Sequence, residues 1–409
     1  MLTRGWRAGT ALLAAAGLAG LAALATAPPA AAAPADGIQA REQWVLSMLN
    51  AQAAWSVTRG AGVTVAVIDS GVNPHVSDLS GSVITGPNYT GVTTRPSSKN
   101  WGVHGTWMAS LIAGHGHDGG LSGVTGTAPA ARILSIRVIP DRADPHYGKY
   151  ERENEARIQQ SLANGIKYAV THGATVISMS IGYSAPSNTV RAELQDAYDH
   201  GVVVIASAGN SGGPGSNKPG HPAPDSFPAD YPGVISVSAV AASGKVAPFS
   251  SDNLSVKVAA PGESVPAQGR DGQYWLVSGT SPACALVAGV AALIKSKYPR
   301  LAPDLVASAL TSTTTDRPAD GYDSQVGFGI VDAAAALTKA GRLAGVRSVS
   351  TSIKATARYH GVLPPAPVRP RGSGQLVLFS LLALASLALI AAAGTWLAVL
   401  HRAQGPANR

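Results

Sequence analysis

The sequence predicts an α/β fold in which a mostly parallel central sheet lies between two layers of helices. The first observation is a series of short apolar runs, rich in β-branched residues and four to seven residues long. Such runs are typical of parallel strands that are buried on both faces. The second observation is that helical stretches lie between and after these runs, and this alternation favours βαβ units.

The predicted strands follow one another through the middle of the chain. They are residues 63–68, 133–138, 175–181, 202–206, 234–238 and 256–259. The predicted helices are residues 107–113, 154–171, 188–200, 283–293, 303–313 and 331–340. About 300 residues lie between two terminal segments of different composition, which is enough for one domain with a large core.

The charge distribution argues against a nucleic-acid-binding function. The chain has 31 Lys and Arg residues, 23 Asp and Glu residues and a formal charge of +8. Because ten of the basic residues and none of the acidic ones fall in residues 1–33 and 342–409, the part between holds 21 basic and 23 acidic residues. A nucleic-acid-binding domain needs a basic surface, so we expect no nucleic acid among the partners.

The cysteine and histidine content gives little support to a metal centre. Cys284 is the only cysteine, which excludes an internal disulfide and a cysteine-ligated metal. We expect it to be a small buried hydrophobe of the predicted helix 283–293. His115 and His117 flank Gly116, but nothing else in the sequence supports a metal role for them. We therefore expect neither a metal nor a cofactor, and we leave calcium dependence open.

The first residues have the layout of a secretory signal. Arg4 and Arg7 precede an apolar stretch of Ala, Leu and Gly, and prolines and small residues follow it. Residues 1–33 are therefore predicted to be a signal peptide that is cleaved within 26–34. The alternative is a retained N-terminal anchor.

Residues 34–62 are predicted to form a lead-in segment before the main domain at 63–341. Trp44, Leu46 and Trp55 give this segment an amphipathic character. Because such apolar residues are poorly suited to a free tail, we expect the segment to stay attached and to pack on the domain.

The chain after the main domain changes character twice. Residues 342–375 are basic and contain a proline-rich stretch, which is typical of a stiff extended linker. Residues 376–400 contain no charge, and roughly 20 apolar residues suffice to span a bilayer, so they are predicted to form a transmembrane helix. Trp396 lies near one end of it, as interface aromatics do. Residues 401–409 would then be a cytoplasmic tail; a buried helix of the soluble domain is the alternative.

Three polar residues stand where predicted strands end or predicted helices begin. Asp69 directly follows the first strand, His104 opens a helix, and Ser281 opens the 283–293 helix with Pro282 behind it. Each residue alone is typical of a turn or a helix cap. Together, in the order Asp, His, Ser, they have the residue types of a nucleophile, its base and the carboxylate that orients the base.

The residues around these three resemble the signature blocks of the subtilisin-like serine proteases. The blocks are VAVIDSGV at 65–72, HGT at 104–106 and SGTSPA at 278–283. The similarity runs from about 43 to 340 and implies a three-layer subtilisin-like fold. The lead-in, the short tail and the predicted anchor look like those of the membrane-anchored mycosins of type VII secretion. The chain departs from the family pattern at Pro282 and Trp107, and it lacks the cysteine pairs that many mycosins carry.

The resemblance implies roles for individual residues. Asp69, His104 and Ser281 would form the catalytic triad, and the side-chain amide of Asn210 would donate to the oxyanion. Two stretches would bind the substrate: Ser178, Met179, Ser180, Ile181 and Gly182, and Ser207, Ala208 and Gly209. The first would pair with an extended substrate, and the second would form a wall of the main specificity pocket. The small residues of this wall suit an apolar or mid-sized side chain.

These features together predict a membrane-anchored serine endopeptidase. It would act on protein or peptide substrates outside the cytoplasmic membrane, with one membrane-spanning helix, and type VII secretion components are further candidate partners. The alternative is a structural or docking component of such an apparatus, although docking alone needs neither a triad nor Asn210. A lipase-type hydrolase would require a strand–elbow–helix Gly-x-Ser-x-Gly motif and the order Ser, Asp, His, whereas the three residues here follow in the order Asp, His, Ser.

Overall fold

The computed structural model describes residues 31–33, 37–151, 155–212 and 223–345, together with helical residues between 381 and 396. Its strands are β1 (Ala31–Ala33), β2 (Thr64–Asp69), β3 (Val83–Asn88), β4 (His115–His117), β5 (Ser122–Thr125), β6 (Arg132–Arg137), β7 (Val176–Met179), β8 (Val203–Ser207), β9 (Ile235–Val240), β10 (Val256–Pro261), β11 (Val265–Gln268) and β12 (Tyr274–Val277). Its helices are α1 (Ile38–Met48), α2 (Ala51–Trp55), α3 (Val103–Ala113), α4 (Tyr147–Glu151), α5 (Glu155–Thr171), α6 (Asn188–Asp199), α7 (Thr280–Lys297), α8 (Pro303–Ser312) and α9 (Ala333–Leu343).

Seven strands form one parallel sheet in the order β10-β9-β8-β7-β2-β6-β3. Every predicted strand is present, and its ends differ from the prediction by no more than two residues. The edge strand β3 was not predicted from the sequence, because none of its residues is fully buried and it contains Gly86 and Pro87. Proline is tolerated at a sheet edge, where its missing N–H removes no ladder hydrogen bond.

Helices cover both faces of this sheet, as the α/β prediction requires. Along β2, Val65 and Val67 pack into the core that includes α3 and α7, whereas Ala66 and Ile68 pack into the core that includes α5 and α6. This alternation follows from the two-residue period of a strand. Because both faces are covered, β2 is apolar along nearly its whole length, which confirms the three-layer, mostly parallel architecture.

Helix α7 runs through the centre of one core. Every residue from Pro282 to Lys295 is buried, including Cys284. A helix that is surrounded by protein has no polar face, and this explains the apolar sequence of the segment up to Ile294. The first turn of α7 carries Ser281, which is partly exposed.

The lead-in segment packs on the main domain. It forms α1 and α2, with Leu46 buried and with Trp44 and Trp55 packed against the larger core. The indole Nε1 of Trp55 donates to the backbone oxygen of Thr127 at 2.8 Å.

The predicted terminal segments fall mainly outside the described residues. Residues 31–33 of the predicted signal form β1, which pairs antiparallel with β12. The rest of that segment, the greater part of the linker at 342–375 and the tail at 401–409 lie outside the description. The predicted span at 376–400 is described only in part, through helical residues. Within the described part of the chain, no helix has the length and apolar character needed to cross a membrane.

Candidate active site

Asp69 and His104 contact each other at the carboxyl edge of the central sheet. Asp69 is the last residue of β2, and its side chain is only 1% exposed. The backbone N–H of Ser70 donates to Asp69 Oδ1 at 2.6 Å. His104 lies in the first turn of α3, and its Nδ1 is 2.9 Å from both carboxylate oxygens of Asp69. The order of strands reverses around β2, and open α/β sheets hold their ligand sites at such a switch point.

The pKa of the His104 imidazole is raised above its ordinary value of 6.5. Burial acts to lower this pKa, but the charge of Asp69 and its hydrogen bond raise it more, and Asp141 adds to the increase. The side chain remains about a third exposed, at 32%. A histidine in this state is a base that a neighbouring carboxylate strengthens and that a substrate can reach.

Ser281 is presented by a glycine turn. Gly279 has φ 152°, which other residues rarely adopt, and it immediately precedes α7. A Cβ at Gly279 would lie 3.4 Å from Asn210 Nδ2, so the missing side chain also lets the asparagine approach. The hydroxyl of Ser180, just beyond β7, donates to the backbone oxygen of Ser281 at 3.3 Å. Since β7 neighbours β2, these contacts bring the start of α7 to the sheet edge that holds Asp69.

The side chain of Asn210 is fixed by Thr280. Asn210 Oδ1 accepts from the Thr280 backbone N–H at 2.8 Å and from its hydroxyl at 2.9 Å. The Thr280 hydroxyl in turn accepts from Gly209 N–H at 3.2 Å. Because the oxygen of the amide is occupied, its Nδ2 is left as a donor beside the turn that carries Ser281.

The first predicted substrate stretch is only partly available to a substrate. Ser178 and Met179 belong to β7, which pairs with β2 on one side and β8 on the other. Because their backbone groups pair with β2 and β8 inside the sheet, these two residues have no free edge for a substrate strand, and their place in the substrate site stays a prediction. Ser180, Ile181 and Gly182 lie beyond the end of β7 and are partly exposed, so only they offer an edge for strand addition.

The second predicted stretch faces a residue that the sequence did not single out. Ser207 ends β8, Ala208 is fully buried, and Gly209 has φ 104°. A Cβ on Gly209 would lie 3.3 Å from Ser226 Oγ, and a Cβ on Gly182 would lie 2.7 Å from the same atom. The Ser226 hydroxyl therefore occupies the gap between the two stretches. Ser226 follows a Gly- and Pro-rich loop, where no periodic pattern marks a functional position.

Trp107 and Cys284 lie next to residues of the site. The Trp107 ring packs edge-on against the His104 ring, with 6.3 Å between the ring centroids, and its centroid lies 6.0 Å from that of Trp275. Cys284 Sγ is 3.7 Å from both Ser178 Oγ and the Met179 backbone oxygen. Burial raises the pKa of this thiol to about 12, so it stays a protonated and unreactive core residue.

His117 contacts a buried aspartate, and His115 contacts backbone oxygens. His117 Nδ1 lies 2.7 Å from Asp78 Oδ1, and Asp78 also accepts from Val124 N–H at 2.7 Å and from the Tyr274 hydroxyl at 3.1 Å. His115 contacts backbone oxygens only. Within the described ranges, no group of three or more His, Cys, Asp or Glu residues could hold a metal ion.

Comparison with known proteins places this arrangement in a family. The sequence profile of the Subtilase family matches residues 60–329. The chain is 34% identical to fervidolysin of Fervidobacterium pennivorans over 322 residues, covering 72% of this chain and 44% of the relative. It is 34% identical to subtilisin DY of Bacillus licheniformis over 278 residues, covering 68% of this chain and 92% of the relative. The chain therefore spans less than half the length of fervidolysin.

Solved structures of mycosins have the same fold. MycP1 from Mycobacterium smegmatis superposes with a TM-score of 0.59 at 30% identity, covering 72% of this chain and 84% of that chain. Its identity to this chain is close to that of the subtilisins, so the chain is similar to both groups. The family profile, which covers most of the sheet and both helices of the site, decides the assignment: this protein is a member of the subtilase family.

Proposed function

We propose that the chain is a serine endopeptidase in which Ser281 is the nucleophile, His104 the general base and Asp69 the carboxylate that orients His104. The observation that carries this proposal is the contact of His104 Nδ1 with both oxygens of buried Asp69. Because Nδ1 is held by Asp69, Nε2 is left to accept the proton of the serine hydroxyl. Membership of the subtilase family supports the same assignment.

The proposed reaction proceeds in two halves. Ser281 Oγ attacks the carbonyl carbon of the scissile bond while His104 takes the hydroxyl proton, and the C–N bond then breaks as His104 returns the proton to the leaving amine. In the second half water attacks the resulting ester with His104 as base, and the ester C–O bond breaks as His104 returns the proton to Ser281 Oγ. Asn210 Nδ2 and the backbone N–H of Ser281 would donate to the oxyanion in both halves. The contacts of Thr280 with Asn210 Oδ1 support this orientation.

The proposed substrate preference follows from the gap around Ser226. The substrate would add a strand to residues 180–182, and its main side chain would enter between Gly182 and Gly209. Because the Ser226 hydroxyl lies closer than ordinary van der Waals contact to a Cβ on either glycine, this gap suits a small or mid-sized side chain rather than a large aromatic one.

We further propose that the enzyme acts outside the cytoplasmic membrane. The signal-like residues 1–33 would direct export, and residues 376–400 would anchor the chain with 401–409 inside. A solved structure of MycP1 is described as coming from the ESX-1 type VII secretion system, which makes components of such a system candidate partners. A docking role within such a system is the second candidate function, and the same similarity favours it. Docking does not require the Asp69–His104 contact.

Fluorophosphonate labelling of the wild type beside Ser281→Ala tests the proposal. We expect the probe to label the wild type alone and Ser281→Ala to lose kcat by about a millionfold, the loss that removal of the serine causes in a subtilisin, with an unchanged Tm. Asn210→Ala is expected to lower kcat by about a hundred- to a thousandfold with little change in KM, again the effect known for a subtilisin. Hydrolysis by purified Ser281→Ala at the wild-type rate would contradict the nucleophile, and an unlabelled, inactive wild type would favour docking.

A further inference from the structure

The helix that carries His104 has no capping side chain of its own. Gly102 precedes α3 with φ 71°, and because it has no side chain it offers no side-chain oxygen to the free N–H groups of the first turn. These groups need partners when they are buried. Val103 N–H donates to Asp141 Oδ2 at 3.0 Å, and His104 N–H donates to Asp141 Oδ1 at 2.9 Å. The next N–H, of Gly105, donates to the Ser70 hydroxyl at 3.0 Å.

Asp141 reaches this position from a different part of the chain. It lies four residues beyond the end of β6 and is only 6% exposed. The hydroxyl of Ser70, the residue that follows Asp69, acts to lower the pKa of this carboxyl, although burial raises it more. The Asp141 carboxylate therefore connects the loop after β6 to the first turn of α3, and the Ser70 hydroxyl connects the end of β2 to the same turn.

Two arginines near this carboxylate, Arg137 and Arg270, make short contacts to other described groups. The buried guanidinium of Arg137 pairs with Asp144 at 3.0 Å and donates through Nε to the Ser70 backbone oxygen at 3.0 Å. Arg270 donates to backbone oxygens of Trp101 and Pro96. Both arginines lie close enough to Asp141 for its charge to affect their pKa values, but their short contacts are made to other groups.

We propose that Asp141 is a positioning residue: it holds the backbone of His104 so that the imidazole meets Asp69 on one side and Ser281 on the other. This inference rests on the proposed triad. An aspartate in this place does two things that a neutral cap does not. It fixes two consecutive N–H groups with one rigid carboxylate, and it places a negative charge at the helix N-terminus beside the imidazole.

The charge of Asp141 acts on His104 together with two other groups. Asp69 from β2 and Asp141 from the loop after β6 both raise the pKa of His104, whereas Arg142 from the same loop lowers it. Removing the Asp141 charge should therefore lower the pKa of His104. Because catalysis needs the neutral imidazole, the acid limb of the kcat/KM profile should move to lower pH.

The test compares Asp141→Asn with Asp144→Asn in the full chain. Asp144 is a matched control, since it is a buried aspartate of the same loop whose contacts do not include α3. We expect Asp141→Asn to lower kcat by about ten- to a hundredfold, because a displacement of about 1 Å costs on the order of a hundredfold, and to shift the acid limb to lower pH. Asp144→Asn should lower Tm without moving the acid limb.

A second measurement does not depend on activity. The ¹H resonance of the His104 Nδ1 proton, titrated in a Ser281→Ala background, should show a lower pKa when Asp141→Asn is added. Ser70→Ala covers the case in which Asp141→Asn fails to fold, since it removes the hydroxyl that accepts from Gly105 N–H in the first turn of α3 and should lower kcat at unchanged KM. If the folded Asp141→Asn variant kept the wild-type kcat, the wild-type acid limb and the wild-type His104 titration, the positioning role would be overturned. An inactive wild type would instead overturn the triad itself, leaving the NMR result to judge Asp141.

Discussion

Single side chains decide the width of the candidate specificity pocket. Gly182 follows β7 and Gly209 follows β8, and Ser226 from a later loop places its hydroxyl between them. The sequence drew attention to the glycines, because they lie in stretches that resemble the family's substrate-binding segments. It did not draw attention to Ser226, whose position depends on how the loop folds back.

Ser226→Gly should broaden the preference for the main substrate side chain. Removing the hydroxymethyl group leaves room for a larger side chain, and a group the size of a methylene in such a pocket changes kcat/KM by about ten- to two-hundredfold. We expect the ratio of kcat/KM for Phe over Ala peptide anilides to rise by about tenfold. Ser161→Ala, a buried serine of α5, serves as the control. An unchanged ratio in Ser226→Gly would place the pocket elsewhere.

Elements outside the sheet also carry buried polar groups, and α1 gives the clearest case. Glu42 is 3% exposed, and its two carboxylate oxygens accept from Thr125 N–H at 3.1 and 2.9 Å. Burial raises the pKa of this carboxyl well above its ordinary value of 4.5, although the hydrogen bond from Thr125 lowers it and Asp78 adds to the increase. The lead-in segment is thus attached to the domain through a carboxyl that favours its neutral form.

Glu42→Gln should therefore stabilise the fold at neutral pH. As pH rises from about 4.5 to the folded-state pKa, the unfolded chain ionises Glu42 while the folded chain does not, so the wild type loses stability across that window. Each unit of pKa difference corresponds to about 1.4 kcal/mol. Urea unfolding at about pH 4 and about pH 8, in a Ser281→Ala background that prevents autolysis, should show a gain for Glu42→Gln that grows with pH. Glu193→Gln, at a partly exposed glutamate of α6, should show no such growth. A gain independent of pH would refute the raised pKa.

The whole molecule is organised so that its chemistry lies at one edge of one sheet. Asp69 ends β2, Ser180 follows β7, and Asn210 follows β8, and these strands are neighbours. Parallel strands bring their carboxyl ends to the same edge, so residues far apart in sequence meet there. The signal peptide and the membrane anchor, which are predicted from the sequence alone, would determine where this edge works in the cell.

The expected topology places the domain outside the membrane and the C-terminus inside. A cleaved signal would send the chain across the membrane, and residues 376–400 would stop the transfer. Protease added to intact spheroplasts should degrade the domain and spare a tag after Arg409, whereas a chain ending near Gly374 should be released in soluble, active form. Loss of the tag with survival of the domain would reverse this orientation.

The sequence by itself was sufficient for six of the seven strands of the central sheet and for the main helices. Buried parallel strands and a buried helix such as α7 are apolar along their whole length, and this signal is local. The three blocks around Asp69, His104 and Ser281 also indicated the family, because the glycines and small residues beside each of them permit turns and close contacts that larger residues would prevent. The minor strands escaped prediction, since β3 is half-buried and β11 and β12 are only four residues long.

Only the tertiary structure decided which residues surround the candidate triad. Asp141 bonds the first turn of α3 from 37 residues away along the chain, and no pattern in the intervening sequence marks that contact. Ser178 and Met179 match the family's substrate stretch in sequence, yet both edges of β7 are already paired. The backbone hydrogen-bonding groups of β7 are taken by the strands on its two sides. Which strands these are depends on the order of the sheet rather than on residue type. Secondary structure and residue chemistry are local properties that the sequence records, whereas the partners of a backbone group depend on the fold of the whole chain.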